Sequence, residues 1–396
     1  MKSSSRRFAR VCGTISLVAA VPIVAQTRPE PVPAIVPVDS GDAAQWQSWA
    51  GNAGWRIIAP AAAAGAPIDA RIQSIELAVQ QATQSGAADP SRIYLVGRGE
   101  GTAAVFYAIS REPDLFAAAA ALGGSPQPAI DSGLLYGANF AHVPVLWIGS
   151  APYDRTPAEQ LRSAGIALEW RSAESANMGE VLEWLGQHRR IAYPATIDCE
   201  TNSPDFARCY WIRMTRFDPA ERNDVLNSTR LEPARRASLD LGGFGFKADD
   251  PGPGVVVGYL PAKYAGPLKM GDRLVELDGR EIPDARRYVE LMAQITDERP
   301  AVATIQRGRE RIRLETRIII PLGTPGATAR VEGQYLAATK VVQIISRAVT
   351  EMRVAIPAEW VPSVLNWNGV ALEKVETAGC RLIVVEKALP QTSSCP

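Results

Sequence analysis

Hydrophobic runs alternate with amphipathic stretches between about residues 34 and 194, and this alternation predicts an α/β domain. Short apolar runs such as RIYLVG and VPVLWIGS are typical of buried strands, whereas DARIQSIELAVQQATQSG places Ile72, Ile75, Val79 and Ala82 on one helical face. Further strands are predicted in WRIIAP, FAAAAALGG and IALEW, and further helices in TAAVFYAIS, TPAEQLRSAG and MGEVLEWLGQHRR. Strands that alternate with helices predict a mostly parallel sheet covered on both faces.

From residue 195 onward apolar positions recur mainly every second residue, which is typical of β-structure. CYWIRMTRFD alternates in this way within a predicted β-rich connector, 195–236. The segment 237–321 is a compact module, with strands in LKMGDRLVELDGREI, a helix in DARRYVELMAQI and a hairpin in AVATIQRG and RIRLETRI. Runs such as MRVAIP and RLIVVEKA predict a β-rich C-terminal region, 322–396. The pattern leaves open whether 191–235 and 326–396 form one β domain.

The N-terminal residues are typical of an export signal. Basic residues between Lys2 and Arg10 precede an apolar run that ends in small residues and is short for a membrane-spanning helix. We therefore expect 1–25 to be removed, which leaves a periplasmic or secreted protein without a stable membrane span. An uncleaved anchor is the alternative. The prolines of the next stretch, 26–33, predict a stiff linker.

Length and charge limit the possible functions. A chain of 396 residues suggests two or three domains, and an apolar content of 46% is enough for several packed cores. Lys plus Arg and Asp plus Glu number 42 each, so no net charge favours nucleic acid as a partner. Nucleic-acid binding is therefore not expected.

Four cysteines remain after the predicted signal. Disulfides persist in oxidising compartments, so in an exported protein these cysteines are expected to form disulfides. Cys199 and Cys209 flank a polar loop between two strand-like runs, which predicts a disulfide across a hairpin. The remaining pair, Cys380 and Cys395, is then expected to tie down the C-terminal tail. No CxxC spacing or neighbouring histidine supports a metal site, so neither a metal nor a cofactor is expected.

The stretch SRIYLVGRGEGTAAVFYAIS has the layout of a strand, a glycine-rich turn and a helix. In many hydrolases this turn reads G-x-S-x-G and presents a nucleophilic serine beside N–H groups that stabilise an oxyanion. Here Gly99 stands where the serine would be. A glycine-rich turn can also hold a nucleotide phosphate, but no acidic partner for a ribose is evident.

The longer stretch DPSRIYLVGRGEGTAAVFYAISREPDLFAAAAALGG resembles exported α/β-hydrolases related to polyhydroxybutyrate depolymerases and feruloyl esterases, over roughly residues 34–194. The resemblance implies a catalytic triad at three positions, occupied here by Gly99, Asp154 and Met178. The family's early oxyanion segment resembles PVDSGDAAQW, where Asp39 and Ser40 stand instead of histidine. An aspartate without its imidazole has nothing to orient, so the resemblance predicts a pseudoenzyme with no catalytic residues.

Other residues offer weak substitutes for the triad. The chain has two histidines, His142 and His188, and we interpret both as structural. Ser125 and Ser150 follow predicted strands but have no identifiable base. Glu100 on the turn could serve as an acid or base, although a solvent-facing glutamate is the commoner outcome.

The module 237–321 resembles a bacterial PDZ domain along its whole length. GGFGF resembles the loop that binds a terminal carboxylate, AGPLKMGDRLVELDG resembles the central signature, and the helix follows at the family's spacing. The resemblance implies that a peptide adds as a strand beside the loop and lays its side chains against the helix. The predicted peptide-binding residues are Gly243, Phe244, Gly245, Phe246, Tyr288, Val289 and Met292. The sequence leaves open whether this groove is free or occupied by another part of the chain.

Together these patterns predict an α/β-hydrolase-like parallel-sheet domain, a PDZ-like β/α module and a small β-rich C-terminal region. The predicted function is an exported, non-catalytic pseudo-hydrolase that binds peptide or protein C-termini. One alternative is an active serine-type esterase or hydrolase with an unrecognised nucleophile, acting on polyester, feruloyl or peptide substrates. Another is a carbohydrate- or polyester-binding protein in which Trp147, Trp170 or Trp184 stacks on the ligand, although such tryptophans are more often core.

Overall fold

The computed structural model describes residues 31–396 except 63–65, 150–154, 174–176, 222, 224, 234–236, 248–249, 321–325 and 387–388. The predicted export signal and most of the predicted linker therefore lie outside the described residues. Within the described part of the chain, no helix is both long and apolar enough to cross a membrane.

The first part of the chain forms a six-stranded parallel sheet flanked by helices, and the predicted α/β class is confirmed. The strands are β1 (Val32–Pro37), β2 (Arg56–Ile57), β3 (Ala88–Arg98), β4 (Ala118–Leu122), β5 (Val145–Gly149) and β6 (Leu168–Ser172). The helices are α1 (Ala43–Asn52), α2 (Ile68–Gln84), α3 (Gly101–Arg111), α4 (Gln127–Asp131), α5 (Arg155–Ser163) and α6 (Met178–Gly186).

Both faces of this sheet are covered, because successive residues of β3 contribute to different hydrophobic clusters. Ile93 and Leu95 pack with α2 and α3 on one face, whereas Tyr94 and Val96 pack with α1 and α6 on the other. Helix α2 buries Ile72, Ile75 and Val79, as the helical pattern predicts. Strand β1 begins at Val32, within the stretch predicted to be a linker, and Pro33 lies where the register between β1 and β3 shifts. A proline is tolerated there because a bulge does not need its missing N–H.

The strand order is β2-β1-β3-β4-β5-β6, so the direction in which strands are added reverses between β1 and β3. Ligands of open α/β sheets bind beside the carboxyl ends of the strands at such a reversal. Asp39 follows β1 and Gly99 follows β3. The fold therefore brings these two residues to the carboxyl ends of the strands, where ligands usually bind.

The residues on either side of the 237–321 module form two five-stranded sheets that share one core. Their strands are β7 (Thr196–Thr201), β8 (Arg208–Cys209), β9 (Ile212–Phe217), β17 (Ala329–Leu336), β18 (Val341–Arg347), β19 (Val349–Ile356), β20 (Ser363–Trp367), β21 (Val370–Val375), β22 (Gly379–Glu386) and β23 (Leu389–Ser394). Strand β7 pairs with β17 and β9 pairs with β19. Two segments far apart in sequence thus build one β structure, called the β unit below.

Both predicted disulfides form, Cys199–Cys209 and Cys380–Cys395. The interpretation of Cys199–Cys209 as a hairpin staple is wrong. Strand β7 belongs to the sheet β21-β20-β18-β17-β7 and β8 to the sheet β23-β22-β19-β9-β8, so this bond joins the two sheets. The chain between them contains a short 3₁₀ helix, Pro204–Phe206, and Phe206 packs into the core of the α/β part instead of continuing a hairpin.

The module between these segments contains β10 (Ser238–Leu239), β11 (Gly245–Phe246), β12 (Val255–Tyr259), β13 (Arg273–Leu277), β14 (Arg280–Glu281), α7 (Ala285–Ala293), β15 (Arg299–Arg307) and β16 (Glu310–Ile319). Its sheet has the order β10-β16-β15-β13-β12-β11, with β14 beside β13. Asp284 accepts a hydrogen bond from the Arg287 N–H at 2.8 Å and so caps α7. The helix and sheet enclose a core of their own.

Arg208 joins the β unit to the α/β part through three carboxylates. Its guanidinium lies 3.3 Å from Glu76, 3.3 Å from Glu112 and 2.8 Å from Asp114. Glu112 is only 2% exposed. Burial raises the pKa of Glu112 well above its usual range, and Asp114 and Glu76 add to this, while Arg208 and Arg213 oppose it. Burial and the neighbouring carboxylates together therefore disfavour the ionised form of Glu112.

A carboxyl whose folded-state pKa is raised binds more protons in the folded than in the unfolded protein, so stability falls as pH rises through that window. We expect Glu112→Gln to raise the melting temperature at pH 8 by on the order of a few °C and to have a smaller effect at pH 5. Thermal unfolding across this range is the measurement. Glu76→Gln removes a charge from the same arginine at a more exposed position, 25% against 2%, and serves as the control. An equal effect of Glu112→Gln at both pH values would contradict the prediction.

Candidate functional site

The turn between β3 and α3 has the shape of a nucleophile elbow without the nucleophile. Gly99 adopts φ +53°, its N–H donates to Leu122 O at 2.8 Å, and its carbonyl accepts from the Thr102 N–H at 3.1 Å. A serine at an elbow is held in a strained conformation, which glycine adopts without cost. A Cβ built on Gly99 would meet no atom within 4 Å. The place of the missing side chain is therefore open space.

Neighbouring chain segments fix the shape of this turn. A Cβ at Gly124 would lie 1.8 Å from the Gly99 carbonyl oxygen, so the loop after β4 approaches the elbow as closely as a glycine allows. The Trp147 indole donates to Gly124 O at 3.0 Å and holds that loop in place. The elbow is thus a packed structure that keeps its form without a catalytic side chain.

Asp39 brings negative charge to the beginning of α3. One carboxylate oxygen lies 3.0 Å from where a Cβ of Gly101 would be, and the other pairs with Arg71. A carboxylate suits the positive end of a helix. Ester hydrolysis needs that end to stabilise a developing oxyanion instead, and a resident carboxylate opposes this. The Asp39–Arg71 ion pair therefore lies beside the first residue of α3.

Neither histidine can act at Gly99. His142 precedes β5, where its Nε2 lies 2.6 Å from Thr196 O, and so belongs to the amino ends of the parallel strands. His188 lies beyond the C-terminal end of α6, and the helical rise places it about 15 Å from Met178 at the first residue. Burial lowers the pKa of His188, and its ring packs 4.4 Å from that of Trp184. The structural interpretation of both residues fits these positions.

The other predicted members of the elbow site fall into two groups. Asp154 and Ser150 lie outside the described residues. Met178 is partly buried and lines a cleft of about 440 Å³ between α1 and α6, with Trp49, Trp55 and Leu182. Asn52 and Glu183 add polar groups to the otherwise mainly apolar lining of this cleft.

The remaining candidates near the elbow have ordinary structural roles. The Ser125 hydroxyl accepts from the Gln127 N–H at 3.2 Å at the beginning of α4, and Glu100 is exposed at the N-cap of α3. Trp147 and Trp184 are 0% and 8% exposed and offer no free ring face for stacking, whereas Trp170 is half-buried against the core.

The loop predicted to bind a carboxylate leads into the edge strand of the 237–321 module. Gly243 is exposed with φ +73°, and Gly245 and Phe246 form β11. Strand β11 pairs with β12 and ends the strand order, so its second edge has no strand partner among the described residues. Phe244 and Phe246 are half-buried against the module's core. The loop therefore combines a free strand edge with apolar side chains.

The three predicted contact residues on helix α7 differ in their exposure to solvent. Tyr288 and Met292 are 6% and 4% exposed and belong to the core, whereas Val289 is 47% exposed. The Tyr288 ring meets that of Phe246 edge to face at 5.6 Å, and burial raises the pKa of Tyr288 to about 12. Tyr288 thus supports Phe246 from behind, and Val289 alone of the three is presented to solvent.

Sequence reasoning missed Tyr259 beside this loop. It is 62% exposed on β12, opposite Gly245, and a Cβ at Gly245 would approach the Tyr259 Cβ to 3.0 Å. A large aromatic residue at the end of a predicted strand carries no local sign of exposure, so only the pairing of β11 with β12 shows it. A side chain at position 245 would therefore crowd Tyr259, and glycine avoids this contact.

No protein-family model matches this chain, and no curated protein sequence matches it. Similar solved structures include a thermostable esterase (15% identity, 41% of this chain and 56% of that chain, TM-score 0.29) and Arabidopsis thaliana SOBER1 (14%, 39% and 98%, 0.31). An HtrA-type protease, AlgW, solved with a decapeptide is similar over 23% of this chain and 32% of that chain, at 22% identity and a TM-score of 0.19. The chain thus spans little more than half of the thermostable esterase. At such scores the similarities carry no argument about activity, and the fold is assigned from the strand order itself.

Proposed function

We propose that this chain is an exported, non-catalytic protein that binds the C-terminal residues of peptides or proteins through a PDZ-like module, 237–321, attached to an α/β-hydrolase-like domain, 34–194. The observation that carries the proposal is the free edge of β11, which follows the glycine-rich loop and includes Phe246. A peptide can add to such an edge as a strand, while loop N–H groups take its terminal carboxylate.

The surroundings of the loop support an apolar ligand side chain. Phe244 and Phe246 lie half-buried on one side, and Val289 is exposed on the first turns of α7. The two disulfides are compatible with the proposed export to the periplasm or the exterior. The alternative, an esterase with an unrecognised nucleophile, is favoured by the preserved shape and open space of the elbow at Gly99.

The test measures peptide binding by the purified mature protein with a fluorescent library, each sequence carrying a free or an amidated C-terminus. Peptides with a free carboxylate and an apolar last residue are expected to bind at least tenfold more tightly than their amides, since a charge-assisted hydrogen bond is lost in the amide. Equal affinity for both forms would remove the case for the loop as a carboxylate receptor.

Val289→Asp tests the groove without disturbing the core. An unpaired carboxylate beside an apolar ligand side chain is expected to weaken binding about tenfold or more. Val370→Asp is the matched control, because Val370 has nearly the same exposure, 49% against 47%, on strand β21 of the β unit. If both variants bind peptide as the wild type does, the ligand does not lie against α7.

A further inference from the structure

Tyr259 is the last residue of β12, and it is 62% exposed beside the edge strand β11. We propose that Tyr259 is a specificity residue for the peptide ligand, and that its ring selects an aromatic side chain at the penultimate position of a peptide C-terminus. This role rests on the proposed function, because it requires that a peptide adds as a strand to the free edge of β11.

A bulge in β12 turns Tyr259 away from the core of the module. Val257 is 1% exposed and belongs to that core, and a regular strand would place Tyr259 on the same face two residues later. The pairing with β11 shifts here, because Tyr259 is opposite Gly245 and Val257 is opposite Phe246. Gly258 is therefore the extra residue of a bulge, and bulges re-aim the side chains beside them. Tyr259 accordingly lies on the solvent face of the sheet, away from α7.

The Tyr259 side chain extends from β12 across Gly245. A Cβ built on Gly245 would lie 3.0 Å from Cβ, 3.5 Å from Cδ1 and 3.7 Å from Cγ of Tyr259. The side chain thus leans towards β11, on the side where a further strand would be added. Aromatic residues often cover a glycine at a sheet edge, and Tyr259 does so while more than half of it stays exposed.

The position of the glycine-rich loop determines how a peptide would be oriented on this edge. The loop at Gly243 comes before β11, so a peptide whose terminal carboxylate binds there runs antiparallel to β11. The last side chain of the peptide then faces Phe246 and α7. Successive side chains of a strand point to opposite faces, so the penultimate side chain faces outward with Gly245 and Tyr259.

The spacing of the strands selects a large side chain at the penultimate position. Tyr259, Gly245 and the penultimate residue lie in one row across three strands, and the glycine places no side chain between the outer two. Since neighbouring strands are about 4.8 Å apart, the outer two residues are separated by about 10 Å. An alanine cannot reach across this distance to the ring, whereas a second aromatic ring meets it above the glycine. Such ring pairs add to affinity beyond the area that they bury.

Lys247 decides between an aromatic and a cationic ligand side chain, since a cation can also bind the face of an aromatic ring. A Cβ built on Gly258 would lie 2.8 Å from Lys247 Cγ and 3.6 Å from Lys247 Cε. The Lys247 side chain therefore crosses the residue next to Tyr259 and brings a positive charge to this surface. Like charges repel, so a penultimate lysine or arginine is disfavoured and an aromatic residue is preferred.

The experiment measures by fluorescence anisotropy how tightly the full mature chain binds labelled hexapeptides that end in leucine with a free carboxylate. The penultimate residue is phenylalanine, alanine or lysine, and a further peptide carries phenylalanine one position earlier, before a penultimate alanine. The peptide with penultimate phenylalanine is expected to bind about fivefold more tightly than those with alanine or lysine. Equal affinity for the three penultimate residues overturns the proposal.

Tyr259→Ser is expected to abolish this fivefold preference and to leave the affinity for the other peptides unchanged, including the one whose phenylalanine lies a position earlier and faces α7. Tyr259→Phe keeps the ring and is the matched control, which is expected to keep the preference. A purely structural Tyr259 would give a different result, because Tyr259→Ser would then weaken all peptides to the same extent. That result, or a preference that survives in Tyr259→Ser, overturns the role of Tyr259.

The amidated forms of the same peptides separate this role from the proposed function. Tyr259→Ser is expected to retain the preference for a free carboxylate, since the loop at Gly243 is unchanged. If the wild type binds free and amidated peptides equally, the proposed function fails and the role of Tyr259 fails with it. If the carboxylate preference is present but the penultimate residue makes no difference, only the role of Tyr259 is overturned.

Discussion

The purified protein is expected to hydrolyse p-nitrophenyl acetate no faster than buffer does. Loss of the nucleophile and histidine of a triad lowers kcat by about 10⁶-fold. In the proposed assignment Gly99 and Met178 stand at those positions, and both histidines lie towards the amino ends of the parallel strands, away from Gly99. Turnover that persists after repeated purification and disappears in Ser125→Ala would establish the esterase alternative.

Restoring the triad residues one after the other distinguishes a site that lacks only its nucleophile and base from a site whose geometry is distorted. Gly99→Ser is expected to fold at some cost in stability, because a Cβ there meets open space but a φ of +53° is strained for serine. It is expected to stay inactive because no imidazole is near. Gly99→Ser with Met178→His adds both groups, and we expect this double variant to react with an organophosphate probe faster than either single variant. The measurement is covalent labelling followed by mass spectrometry. Equal labelling of the double and single variants would show that the elbow no longer aligns these positions.

Local patterns predicted most of the helices and strands of this chain because each is decided by nearby residues. The face of Ile72, Ile75 and Val79 on α2 follows from helical spacing alone, and burial confirms it. The elbow at Gly99 was equally visible, since a strand, a crowded turn and a helix follow one another within a few residues. The preserved shape of this turn could not be predicted from the same residues, because contacts from Gly124 impose it.

Features that depend on distant pairing could not be predicted. Strand β7 pairs with β17 across more than a hundred residues, and no periodicity within either segment identifies the other. The same limit explains the error about Cys199 and Cys209, whose pairing was predicted while the two sheets they join were not.

The loop closed by Cys199 and Cys209 contacts the α/β part at several points. Arg111 donates to the Asn202 side chain at 2.5 Å, and its guanidinium lies 4.8 Å from the centre of the Phe206 ring. Phe206 is 5% exposed in the core of the α/β part, and Arg208 meets the three carboxylates described above. The disulfide therefore holds the segment that docks the β unit on the α/β part.

Replacing both cysteines of this bond with alanine is expected to destabilise the protein more than replacing Cys380 and Cys395. The cysteines of the two bonds are 10 and 15 residues apart in sequence, respectively. From the entropy of the unfolded chain alone, removing Cys199–Cys209 would cost about 2.7 kcal/mol and removing Cys380–Cys395 about 3.0 kcal/mol. Chain entropy alone would therefore make the second pair the more costly one to replace. Any loss of stability at Cys199–Cys209 beyond this entropic cost measures the docking contacts that depend on the closed loop.

Differential scanning calorimetry distinguishes the two contributions. For Cys199→Ala with Cys209→Ala we expect a lower melting temperature and two resolved transitions, because the α/β part and the β unit then unfold separately. For Cys380→Ala with Cys395→Ala we expect one transition, since β22 and β23 lie in the sheet β23-β22-β19-β9-β8 away from that contact. A single transition with equal loss in both variants would mean that Phe206 and Arg208 stay docked without the bond, and the loop would then owe its position to packing alone.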